Sequence, residues 1–184
     1  MSIKQWMSWE AGIDLVAITS PDLRMPNVIV HVARMVHTPV GSAASGMLFY
    51  QPDTGGAPEL IGFISTDEKV GAYFGPNIFA GTPFEKAPVL KASIEIRVEL
   101  PGSVSSIVKV EGTTIEVTLS ELKAPELISR PPAVMPPFHQ QGVEAAAGRA
   151  TLKVNGKDVS IVVPPVGISG GPAAVWAPTG IYAR

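Results

Sequence analysis

The chain contains no cysteine. That single absence excludes disulfides, thiolate metal sites and cysteine nucleophiles together. Charge is also scarce: Asp, Glu, Lys and Arg make up 16 % of the 184 residues, against about a quarter in ordinary globular domains. Set beside 46 % apolar residues, the deficit points to extensive buried or partner-covered surface and away from disorder. Net charge is −2 with no basic block, so nothing offers an electrostatic footprint to nucleic acid. The opening residues MSIKQWMSWEAG carry no long apolar run and no small-residue cleavage site, and no later stretch approaches the length of a membrane span. The expectation is a cytoplasmic protein without signal peptide, membrane span or cofactor.

Long helical periodicity is missing too. Eighteen glycines and eighteen prolines interrupt the chain every several residues, and between them the apolar residues alternate. Ile94, Ile96, Val98 and Leu100 face one way while Glu95, Arg97 and Glu99 face the other, the pattern of a strand with one wet face. Val108–Val110, the turn EGTT and Ile115–Leu119 read as a hairpin. Leu152–Val154, Asn155-Gly156 and Val159–Val163 read as another, with a two-residue turn that needs positive φ at both positions. Further strands are expected over Ile13–Ile18, Val28–Val36, Met47–Gln51, Leu60–Ser65, Val70–Phe74 and Ala173–Tyr182. A short N-terminal helix is expected from the spacing of Ile3, Trp6, Met7 and Ile13.

The string APELI occurs at 57–61 and again at 124–128. Upstream of the copies, 25–45 and 87–106 align with their prolines, Gly-Ser pairs and apolar phase together. The stretches 25–65 and 87–128 therefore read as duplicated strand-plus-hairpin units, with a weaker echo at 150–163. Such units cannot bury their own apolar face and must close on one another. The predicted fold is one all-β domain over 1–184, an antiparallel β-barrel or a two-sheet sandwich.

Chemistry-bearing motifs are few. His31 and His37 stand six apart, about 20 Å along a strand, too far to share a metal. No HxH, HExxH or Gly-x-Ser-x-Gly sequence occurs, and Ser42, Ser45, Ser103, Ser105 and Ser106 read as corner and turn residues. The glycine-rich DTGGAPE and SGGPAAV lack the Lys-Ser/Thr of a phosphate loop. What remains is aromatic and proline-rich. SRPPAVMPPFHQQ (129–141) cannot lie in a central strand, because proline removes a ladder donor. It is expected to cross over the surface to the C-terminal hairpin, leaving Phe138, His139 and Gln140 at a rim beside YFGPNIFAGTPF (73–84). Tyr73, Phe74 and Trp176 complete the candidate ligand-binding set.

Two readings follow. The first is a non-enzymatic module that binds a protein partner or assembles with itself, a homodimer above all. The second is a barrel that holds a small apolar or sugar ligand, with hydrolase or isomerase chemistry.

Overall fold

The computed structural model describes residues 3–53, 55–133 and 137–184. Eleven strands and one helix follow in order: β1 (Trp6–Ala17), β2 (Val28–Thr38), β3 (Gly41–Tyr50), β4 (Leu60–Ser65), α1 (Glu68–Ile78), β5 (Val89–Glu99), β6 (Ser103–Val110), β7 (Thr113–Leu122), β8 (Glu126–Arg130), β9 (His139–Val154), β10 (Lys157–Val159) and β11 (Ala174–Ala183). The strands pair in the order β9-β11-β1-β2-β3-β4-β5-β6-β7, and β7 returns to β9. The sheet is thus a closed ring, and barrel is the member of the predicted pair that forms. Closure removes the free edges a sandwich would expose along these strands. All neighbours in the ring run antiparallel except β4 and β5, which are parallel and joined through α1.

β9 closes the ring. One of its edges carries β11 and β10, the other β7 and β8. β7 and β8 act as one strand interrupted at 123–125, where Pro125 cannot donate to the ladder. The Asn155-Gly156 turn joins β9 to β10 with φ of 51° and 76°, and Glu111-Gly112 turns β6 into β7 with 48° and 78°. Both expected hairpins therefore form with left-handed central residues.

Every strand of the ring contributes to the barrel interior, with Leu15, Val30, Leu48, Ile64, Ala92, Val108, Val117, Leu152 and Trp176 among its members. A second cluster lies on the outer face of β1–β4 and β11. There Met7, Trp9, Ala33, Val36, Phe63, Val175 and Tyr182 pack under Phe74, Ile78 and Phe79 of the α1 region and under Phe138. Three irregularities cross this wall. Ala11 has φ 51°, and register shifts fall between Ala33 and Val36 and between Trp176 and Thr179. The residues facing the helix side change parity at each: Trp9 but Val16, Ala33 but Val36, Val175 but Tyr182. Bulges of this kind bend a strand and re-aim its side chains.

The structure corrects several expectations. Residues 6–17 form β1, not a helix, because Met7 and Trp9 alternate inward against β2 and β11. The one described helix lies at 68–78, across the predicted strand Val70–Phe74. Asp67 caps it by accepting from the Lys69 and Val70 amides, and Val70, Phe74 and Ile78 recur every four residues on its buried face. SRPPAVMPPFHQQ is not a crossover to the last hairpin: β8 and β9 pair directly, Arg130 opposite Gln140, so the prolines occupy the loop between adjacent strands. Of the prolines this holds for Pro131, Pro132 and Pro137, and 134–136 lie outside the described residues. Of the two repeat segments, the first halves form the comparable hairpins β2–β3 and β5–β6. The APELI strings lead to different places, the first into β4 beside β3 and the second into β8 beside β9.

Replacing Gly156 with Val forces a β-branched residue into a left-handed conformation, at a cost of about 1–2 kcal/mol or more. The expected outcome is a lower melting temperature with the fold retained; an unchanged value would contradict the turn.

Candidate functional site

The β1–β2 register places Asp14 directly opposite His31. Both are on the outer face, where α1 and the 164–173 segment cover the barrel wall. Asp14 Oδ1 accepts from His31 Nδ1 at 2.5 Å, with 28 % and 32 % of the two side chains accessible. The carboxylate commits Nδ1, so Nε2 is the nitrogen an incoming molecule meets.

The pair borders a cavity of about 60 Å³ between the wall and its cover, also lined by Val16, Ile29, Ile78, Phe79, Val175, Tyr182 and Glu144, and by 167–169 and 172–173. A water needs about 10–15 Å³ on this measure, so the space accepts a few waters or a group of comparable size. A second void of about 20 Å³ flanks the same pair toward Met7, Trp9 and Phe74. The accessible part of His31 therefore borders a partly open recess.

Two further polar features converge here. Tyr182 is 4 % exposed, and its ring lies 5.0 Å from Trp9 and 6.4 Å from Phe138. Burial pushes its phenol well above the usual range; the charges of Asp14 and Glu144 act in the same direction and Arg130 opposes them. Tyr182 is thus a neutral hydrogen-bond donor at any ordinary pH. Glu144, 7 % exposed, receives both arms of Arg130 at 2.6 and 2.7 Å. Gln140 ties the pair together, accepting from Arg130 at 3.1 Å and donating to Glu144 at 3.2 Å. The Glu144 hydrogen bonds raise the Arg130 pKa further and hold the guanidinium charged. Breaking such a pair by removing one partner costs about 3–5 kcal/mol, since the other charge stays buried. The cover is fitted to it as well: a Cβ on Gly171 would come 2.3 Å from Arg130 Nη2.

Burial alone would lower the His31 pKa. The charge of Asp14, its hydrogen bond and the more distant charge of Glu144 act against burial, and the net value lies above the ordinary 6.5. A histidine so placed can take up and return a proton near neutral pH.

The sequence-predicted site residues separate. Gln140 belongs to the Arg130–Glu144 cluster beside the cavity. Phe138 is 1 % exposed, packed between Tyr182 and Arg184, in the same apolar cluster as Phe74. His139 is exposed at the start of β9. Phe74 is buried against Phe63, and the Tyr73 hydroxyl is buried without a partner among the described residues. Trp176 faces the barrel interior, its Nε1 likewise unpartnered. Asp14, His31, Glu144, Arg130 and Tyr182 carried no sequence signal: they come from β1, β2, β9, β8 and β11 and meet only through register. Among the described residues no group of three His, Asp or Glu side chains is placed to hold a metal ion.

Fold and site define a closed β-barrel with an acid–base pair in an outer-wall cavity. Comparison with known proteins finds no family model and no curated protein that matches the chain.

The raised His31 value carries a stability consequence. A group whose pKa is higher folded than unfolded contributes stability that is complete below about pH 6.5 and is lost as pH rises through the folded value. A ring-proton titration of His31 should give a midpoint above 6.5, and Asp14→Asn, which keeps the burial and removes the charge, should bring it below. A midpoint indifferent to the substitution would mean that the pair does not form in solution.

Proposed function

We propose that the protein binds a small organic molecule in the outer-wall cavity and moves a proton on it. The observation that carries the reading is the Asp14–His31 contact at 2.5 Å on the wall of a partly open, mainly apolar recess. An acid that fixes one imidazole nitrogen leaves the other as a general base, the arrangement of an orienting carboxylate and its histidine. Tyr182, kept neutral by burial, supplies a donor to an oxygen that gains negative charge. The matching reaction is enolisation next to a carbonyl. His31 Nε2 takes a proton from the carbon, the electrons pass to the carbonyl oxygen, and that oxygen accepts from Tyr182. Return of the same proton to another carbon completes an isomerisation. The cavity volume of about 60 Å³ restricts the reacting part to a few atoms, with any remainder of the ligand outside.

The alternative, a binding or self-assembling module, draws support from two side chains. Met25 and Leu127 are 75 % and 89 % exposed in a chain with 16 % charged residues.

Exchange of the α-protons of cyclopentanone into D2O, followed by proton NMR, tests the first reading. The wild type is expected to accelerate exchange over buffer, and His31→Gln to lose about 100-fold or more of that acceleration. Equal rates for the two proteins would remove the proton-transfer role, and absence of acceleration would favour the module.

A further inference from the structure

The opposite face of the same wall holds a second arrangement of polar side chains. On β2, Val36 packs under the helix, so His37 points the other way; Trp9 and Ser8 on β1, and Tyr182 and Ile181 on β11, divide alike. On this face His37 Nδ1 lies 2.8 Å from Ser42 Oγ, and His37 Nε2 lies 3.0 Å from Glu10 Oε1. The other Glu10 oxygen is 3.7 Å from Arg34. The carboxylate fixes the tautomer: Nε2–H donates to Glu10, and Nδ1 is left to accept the serine proton. Acid, base and hydroxyl thus stand in relay on three neighbouring strands.

A groove continues from this relay. The register runs Ser42 opposite His37, His37 opposite Ser8, Ser8 opposite Ile181, Ile181 opposite Gln141, and Gln141 opposite Ser129. Ser8, Ile181, Gln141 and Ser129 line an open groove of about 550 Å³ to which Leu127 and Val143 add apolar surface. At about 5 Å per strand, the groove begins about 10 Å from Ser42, a distance that only a long acyl chain spans.

We infer that this face is an ester-cleaving site, with Ser42 as nucleophile, His37 as base, Glu10 as orienting acid, and the groove as the seat of an apolar chain. Ser42 Oγ attacks the acyl carbon of a carboxylic ester while its proton passes to His37 Nδ1. The ester C–O bond breaks, and the imidazolium returns that proton to the leaving alcohol. Water then attacks the acyl-serine with His37 again as base, releasing the acid and restoring Ser42. The inference is independent of the cavity reading, since the two sites share no side chain.

Full-length protein incubated with p-nitrophenyl butyrate, followed by intact mass and peptide mapping, tests it. One butyryl group is expected, on Ser42, and it is lost in Ser42→Ala. His37→Gln should slow acylation about 100-fold. Ile181→Ser should lower the preference for p-nitrophenyl laurate over acetate about tenfold. All three positions are exposed or half-exposed, so their replacement leaves the core intact. A butyryl group on another residue, no release of p-nitrophenol above the buffer rate, or undiminished acylation of Ser42→Ala would overturn the assignment of the nucleophile. A chain-length preference untouched by Ile181→Ser, with altered assembly state, would overturn the groove and make it a contact between copies.

Discussion

Closure of the barrel depends on one strand. β9 is sixteen residues long and holds β7 and β8 along one edge and β10 and β11 along the other. Without it the ring would open, and the interior cluster contributed by every strand would face water. The same strand supplies Glu144 to the cavity wall and Gln140 to the polar cluster beside it. Barrel closure and the electrostatics of the candidate site are therefore consequences of one registration. It is held in part by the Arg130–Glu144 pair, whose members come from adjacent strands, Glu144 standing four residues along from the partner of Arg130.

The line of irregularities through β1, β2 and β11 decides what the outer face presents. A strand of strict alternation would keep one parity against the helix along its length. Here the parity changes near Ala11, between Ala33 and Val36, and between Trp176 and Thr179. Below the change Asp14, His31 and Val175 face outward; above it Trp9, Val36 and Tyr182 do. Polar and aromatic groups from both halves consequently meet under α1. The opposite face acquires Glu10, His37 and Ser42 for the same reason. Two sets of acid, histidine and hydroxyl on the two sides of one wall thus trace back to one local feature of the backbone.

Much of this fold was legible. Alternation of apolar residues marks most strands, and Asn155-Gly156 and Glu111-Gly112 mark two hairpins, because both signals are local. The misread segments are those in which tertiary context prevailed. Ile3, Trp6, Met7 and Ile13 have helical spacing, but β2 and β11 flank the segment and take it as a strand. Val70–Phe74 alternates too briefly to separate strand from helix, and the deciding signal was the Asp67 cap, within a stretch that reads as a turn. The site was less legible than the fold. Gln140 was singled out beside the prolines and does stand in the polar cluster, but Asp14 and His31 lie seventeen positions apart and become neighbours only through strand register. Bulges re-aim side chains without leaving a motif, so neither polar constellation could be assembled from spacing alone.

The central claim is that a small ketone enters the Asp14–His31 cavity and not the barrel interior or the outer groove. Backbone chemical-shift mapping during titration of isotope-labelled protein with cyclopentanone tests it most directly. The account predicts shifts centred on Asp14, His31, Val175 and Tyr182, saturating with ligand and abolished when the cavity is filled by Val175→Phe. Shifts centred on Leu127, Val143 and Ile181, or on Trp176 and its interior neighbours, would contradict it.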